Sequence, residues 1–218
     1  MRELHHLHLR GVEPMLQTLN REQTSAQQRG FTLIELMVVI AVVATLVMLV
    51  APSFKRMIDT QRVRSVNAAL VTDLQFARSE AASRNRRVFL RFDNTGSTLT
   101  CYVVLEGASP SFCDCKRPPG TACTGPADIK EIRTVQVDRS LGLTVSLPSG
   151  VTQTTMGFDP ATGRLLIAPL DVPVEATGDF LIDVRNSSVG GLRTSVSPTG
   201  RPSVCSPLGE ISGAPACS

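Results

Sequence analysis

From Phe31 to Ala51 the chain runs 21 residues with one charge, Glu35, and between Leu36 and Ala51 only Thr45 is polar. At about 1.5 Å rise per residue, a helix of that length spans roughly the ~30 Å hydrocarbon core of a bilayer. Pro52 follows at once. It lacks a backbone donor and its ring clashes with the carbonyl of Met48, so it is expected to kink or loosen the helix. The helical pattern then resumes: Val63, Val66, Leu70, Leu74, Ala77 and Ala81 recur at steps of three and four, an apolar stripe for docking on a domain. Arg62, Arg64, Asp73, Arg78 and Glu80 fall largely off that stripe, and the helix is expected to end near Asn85.

Past that point the texture becomes β. Val88–Asp93 and Thr98–Leu105 are β-branched and apolar, joined by the hairpin turn Asn94-Thr95-Gly96-Ser97. Further strands are expected at Ile129–Val137, Leu143–Leu147, Thr154–Phe158, Leu165–Ala168, Phe180–Val184 and Leu192–Val196, with a turn at Asp159–Gly163. Ser109–Asp128 and the tail from Pro198 are rich in Pro, Gly, Ser or Cys and are expected to be irregular. The fold class is α+β: one long N-terminal helix, half transmembrane and half amphipathic, packed on an antiparallel β-sheet head. The 218 residues divide into 1–30, a polar leader; 31–86, the helix, with 31–51 transmembrane; and 87–218, the head. Met15 is an alternative start that would shorten the leader.

Composition excludes several chemistries. His5, His6 and His8 are the only histidines, so removal of the leader removes the usual general base and the commonest metal ligand. With no Gly-rich phosphate loop and no paired-acid site, the chain is read as a non-enzyme, and no cofactor is implied. All six cysteines, Cys101, Cys113, Cys115, Cys123, Cys205 and Cys217, follow the apolar segment. An even set on one side of a span reads as disulfides in an oxidising compartment, in preference to zinc. Cys205–Cys217 would close a terminal loop. Cys113 and Cys115 are each expected to bridge to Cys101 or Cys123, in an order the sequence leaves open.

Charge is unevenly placed. Residues 55–91 carry nine Lys/Arg against Asp59, Asp73 and Glu80, whereas from residue 92 onward nine basic residues face twelve acidic ones. Lys55, Arg56, Arg62 and Arg64 outnumber Arg21 and Arg29 across the span, so the positive-inside count alone would not put the N-terminus in the cytoplasm. Arg84, Arg86, Arg87 and Arg91 lie where the helix ends, a position the helix dipole favours for cations. The rival role for them is contact with an acidic neighbour.

The run Arg29-Gly30-Phe31-Thr32-Leu33-Ile34-Glu35-Leu36 resembles the cleavage site of type IV prepilins. A secretory signal has a shorter apolar core, with its small-residue site after that core. The resemblance implies cleavage by a prepilin peptidase between Gly30 and Phe31, and N-methylation of Phe31. It implies an inner-membrane protein with a periplasmic C-terminal head, whose partners are the peptidase and other pilin or pseudopilin subunits. Glu35 costs ~2.5–3.5 kcal/mol or more unpaired in the span. The family's filament register implies that it meets the Phe31 amine of a neighbouring subunit. Pro52 also stands at the pilin-like distance from Phe31.

Phe76-Ala77-Arg78-Ser79-Glu80-Ala81 with Arg84-Asn85-Arg86, and Val196-Ser197-Pro198-Thr199-Gly200-Arg201, resemble the FimT/GspH family. These are minor pilins of type IV pili and minor pseudopilins of type II secretion, and the resemblance implies assembly into one such filament. FimT-like members are associated with DNA uptake through Gly-Arg-x-Arg, which here reads Gly200-Arg201-Pro202-Ser203, without the second Arg. Phosphate affinity tracks the number of charges neutralised. DNA binding is therefore the secondary reading, carried by Arg201 with Arg193 as a substitute from a neighbouring strand. The acidic head, with one Tyr and no Trp, argues against a base-stacking platform.

Overall fold

A computed structural model describes residues 30–93, 95–96, 98–169 and 172–217. The leader apart from Gly30, and Asn94 and Ser97 of the hairpin turn, lie outside the described residues. The chain falls into two units, one ending at Thr45 and one beginning at Leu46. In the first, Thr32 precedes the helix α1 (Leu33–Arg84), and every described residue is exposed.

In the second unit α1 continues through Pro52 and on to Arg84. It stops there because Asn85 adopts φ 52°, and the Arg86 amide returns to the Ala81 carbonyl at 3.2 Å. That six-to-one bond is a Schellman cap, with Asn in the left-handed position that favours Asn and Gly. Val63, Leu70, Leu74, Ala77 and Ala81 are fully buried, and Val66 packs against the same core at the margin. Complete burial of a Leu side chain contributes ~1.5–3 kcal/mol, so Leu70 and Leu74 dominate the docking of this face.

Ten strands follow among the described residues: β1 Val88–Asp93, β2 Leu99–Glu106, β3 Lys130–Asp138, β4 Leu143–Ser146, β5 Thr155–Phe158, β6 Leu165–Ile167, β7 Val174–Glu175, β8 Phe180–Asn186, β9 Gly190–Val196 and β10 Pro202–Cys205. They form two antiparallel sheets, ordered β3-β2-β1-β5-β6-β7 and β10-β9-β8-β4. The Val145 amide, donating to the Thr100 hydroxyl at 2.9 Å, joins one sheet to the other. The head is thus α+β and antiparallel, as the sequence indicates. Two strands depart from the expectation. β10 lies in the tail read as irregular, and β7 in a segment with no strand signal. Both are edge strands, where Pro202 can open a strand because its missing N–H need pair with nothing.

The six-stranded sheet is covered on both faces at β1 and β2. Leu90, Phe92, Tyr102 and Val104 join the core with α1. Phe89, Cys101, Val103 and Leu105 form a second core with Cys113, Cys115, Ala122 and Ile129. The Cys-rich loop is therefore a lid on the sheet's outer face. That explains why β2 is buried without a break from Thr100 to Glu106 rather than alternating. Glu131 secures this lid, accepting from the Gly120 and Ala122 amides at 2.8 Å and from the Thr134 hydroxyl at 2.6 Å. Burial pushes its carboxyl up, but these donors outweigh that effect and hold it below the usual range.

Candidate functional site

The N-terminal segment carries its own start signal. Thr32 is the N-cap of α1: its hydroxyl accepts from the Glu35 amide at 3.2 Å, and its carbonyl takes the Leu36 amide at 3.1 Å. Thr32-Leu33-Ile34-Glu35 is half of a capping box, a signal carried in the sequence as T-x-x-E. The carboxylate of Glu35 consequently stands in the first helical turn, at the positive end of the helix dipole. Phe31 is 80% exposed, and apolar side chains from Leu33 to Val50 are exposed around α1. Among the described residues this is one helix long and apolar enough to cross a membrane.

Two buried polar clamps fix α1 on the head. Asn67 accepts from the Thr194 hydroxyl of β9 at 2.9 Å. Asp73, 1% exposed, accepts from the Tyr102 hydroxyl of β2 and from Arg133 Nη1 of β3, each at 2.7 Å. The expectation that Asp73 lies off the docking stripe is corrected here. Its cost of burial is offset by a charged and a phenolic donor. One clamp grips each sheet, so the helix cannot rotate on the head without orphaning buried polar groups.

Three of the four arginines of the basic stretch, Arg84, Arg86 and Arg91, are consumed internally, while Arg87 stays exposed. Glu106, buried on β2, takes Arg84 at 3.2 Å and Arg86 at 2.9 Å, and Arg84 also contacts Glu80. Arg91 donates to the Pro110 carbonyl at 3.1 Å. These residues therefore support the helix end and the Cys-rich lid rather than forming an open basic patch.

The two residues of the DNA reading part company. Arg193 is on β9 opposite Cys205 of β10, but its guanidinium makes a two-bond pair with Asp183 at 2.7 and 2.9 Å. The hydrogen bond to Asp183 raises its pKa further, and its charge is neutralised. Arg201 is exposed beside a groove lined by Arg78, Gln75, Ser79 and Pro202. Arg78 reaches the Thr199 carbonyl at 3.1 Å, which holds the turn against α1. Sequence reasoning missed Arg78 as a neighbour of Arg201 because they lie more than 120 residues apart.

All six cysteines are paired: Cys101–Cys115, Cys113–Cys123 and Cys205–Cys217. The first two staple the lid to β2 and to itself. The third closes the tail, whose Ile211 is buried in the main core and whose Ser212 carbonyl accepts from Arg64.

The arrangement has an apolar exposed helix and a head clamped to its second half. The model of the type II transport protein GspH matches residues 67–200, well over half of the chain. The chain belongs to the GspH family. The prokaryotic N-terminal methylation motif matches residues 25–51, ahead of the GspH region. Together these make it a type IV prepilin-like subunit of the minor pilin and pseudopilin class, a structural family rather than a known enzyme family. Two crystal structures of the type IV minor pilin FimU of Pseudomonas aeruginosa are similar to this GspH-family chain. One is 17% identical with TM-score 0.43, covering 71% of this chain and 95% of FimU. The other is 18% identical with TM-score 0.41, covering 70% and 98%. No curated protein matches the chain.

Proposed function

We propose that the chain is a prepilin, cut between Gly30 and Phe31 by a prepilin peptidase, N-methylated at Phe31, and assembled as a minor subunit of a type IV pilus. The observation that carries this is the methylation motif over residues 25–51, which holds the Gly30-Phe31 junction, Glu35 in the first helical turn and the apolar stretch that follows. Cleavage would place a new α-amine at Phe31, beside the capped first turn that holds Glu35. An unpaired carboxylate in hydrocarbon costs ~2.5–3.5 kcal/mol or more. A neighbouring subunit's amine would remove that cost and set axial register. Pro52 would loosen the helix where it leaves the bilayer. The head would face the periplasm, where the three disulfides are maintained.

Mass spectrometry of the mature N-terminus, from cells with and without the peptidase, tests this reading. N-methyl-Phe31 only in its presence is the expected result; an unprocessed chain, or cleavage elsewhere, overturns it. A second host, the type II secretion pseudopilus, is favoured by the description of the matching family. Deletion decides between them: loss of surface pili marks the first, and retention of secreted enzymes in the periplasm marks the second. DNA engagement through Arg201 has less support, because Arg193 is committed to Asp183.

A further inference from the structure

Four cations follow the apolar segment, and two of them are occupied within the fold. Arg62 pairs with Asp59 at 3.4 Å and Arg64 with the Ser212 carbonyl. Lys55 and the Arg56 guanidinium have no such partner among the described residues. Arg56 is five residues beyond Ala51, about 7.5 Å along the same helix. That is the depth of the phosphates when Ala51 ends the hydrocarbon-spanning stretch. Phe54, Met57 and Ile58 remain exposed around it, the mixture of apolar bodies and cations that suits a bilayer interface.

Arg56 also lines a groove of about 610 Å³ whose other wall is the β8–β9 turn, with Arg185, Ser187, Ser188 and Thr144. The Ser187 and Ser188 hydroxyls have no intramolecular partner among the described residues. Glu210 is the one acid on the lining; it stands 3.6 Å from Arg185 and accepts from the Gly191 amide at 3.1 Å. Two guanidinium groups and the hydroxyls of Ser187, Ser188 and Thr144 on one groove have the donor set of a receptor for a phosphodiester, with Arg185 only loosely held by its acid.

We propose that this groove binds the phosphate of an anionic phospholipid while the subunit waits in the membrane, seating the head on the bilayer until assembly extracts the helix. The proposal rests on the reading of residues 31–51 as the span. It gives a role to Arg56, one of the four cations that weigh against the positive-inside count, since it would be retained to grip lipid rather than to set topology.

The full chain in mixed detergent–lipid micelles, examined by native mass spectrometry, provides the test. Phosphatidylglycerol should be retained over phosphatidylcholine, and Arg56→Gln and Arg185→Gln should each lower that preference about fivefold, the effect of ~1 kcal/mol per cation at an anionic surface. Arg201→Gln, which removes the same charge outside the groove, should not. Arg56 is exposed and its guanidinium has no partner among the described residues, so its variant reports on binding even where Arg185→Gln perturbs the fold. Equal retention of both lipids, or indifference to Arg56→Gln, overturns the proposal. So does displacement of phosphatidylglycerol by millimolar inorganic phosphate, which would mark a site for the free anion. An alkaline phosphatase fusion reports head orientation separately, so a failure of topology is distinguishable from a failure of the groove.

Discussion

The phenolic oxygen of Tyr102 stands 2.7 Å from Asp73 Oδ2, inside the contact between the long helix and the six-stranded sheet. Arg133 approaches the other carboxylate oxygen from the solvent side at 2.7 Å. The acid is thereby held between a buried neutral donor and a half-exposed cation. Apolar packing of Leu70 and Leu74 supplies most of the attraction, but it is non-directional. The hydrogen bonds to Asp73 and Asn67 fix the angular setting of the helix on the head.

Asp73→Ala should therefore destabilise the head by about 2–3 kcal/mol, because it leaves the Tyr102 hydroxyl buried without an acceptor. Tyr102→Phe should cost less, about 1.5–2 kcal/mol, since Arg133 still satisfies the acid. Urea unfolding of the detergent-solubilised chain measures both. The double variant should cost clearly less than the two single effects added together. Simple additivity would show that the two side chains act independently.

The same pair sets an alkaline limit. Burial, then the hydrogen bond to Asp73, pushes the Tyr102 phenol far above its ordinary value of 10.0. The unfolded chain loses this proton above about pH 10 while the folded chain keeps it, so the folded state then binds more protons. Stability from this group is fully present below pH 10 and declines above it, by up to about 1.4 kcal/mol per unit. Thermal midpoints from pH 8 to 11 should show the decline, and Tyr102→Phe should flatten it.

The helix, its docking stripe and eight of the ten strands were legible because each is written in local periodicity. The polar clamps were not. Asn67 meets Thr194 and Asp73 meets Tyr102 across sequence distances where no local pattern operates, and a lone Asp between helical turns looks like a solvated face. β10 was hidden by Pro202 and Ser203, poor strand formers that an edge position tolerates. The fate of Arg193 also needed the sheet register, which places it opposite Asp183 on β8. The T-x-x-E cap at Thr32, by contrast, is a local signal, and it overlaps the cleavage motif residue for residue.

Gly200 is required by space as well as by backbone angle. Its φ is +75°, and a Cβ there would lie 2.3 Å from the Gly163 carbonyl oxygen. Gly200→Ala should cost at least about 2 kcal/mol, from left-handed strain of ~1–2 kcal/mol plus the clash. The thermal midpoint should fall by about 4–8 °C for a chain of this size. An unchanged midpoint would mean that the two turns separate freely.

Cys205 and Cys217 close a loop of separation 12 that carries Ile211 into the main core. Replacing both with Ser should cost about 2–4 kcal/mol. It should also expose the tail, which then loses both Ile211 burial and the Arg64–Ser212 contact. Limited proteolysis should cut between residues 207 and 214 in the variant and spare that segment in the parent chain. Equal protection would show that Ile211 alone anchors the tail.

Arg201 and Arg78 share one groove, whereas Arg193 is neutralised by Asp183. A duplex resting on that groove would have two phosphates neutralised, for a slope of log affinity against log salt of about −1.8. Gel shifts with the full chain should therefore show DNA binding only at low salt, if at all. Where a shift is seen, Arg201→Gln should flatten the slope by about 0.9, and Arg193→Gln should leave it unchanged. A slope of about −2.7 or steeper in the parent chain would require at least a third cation. The exposed Arg87 would then be the first to test, because Arg84, Arg86 and Arg91 are already held by Glu106 and the Pro110 carbonyl.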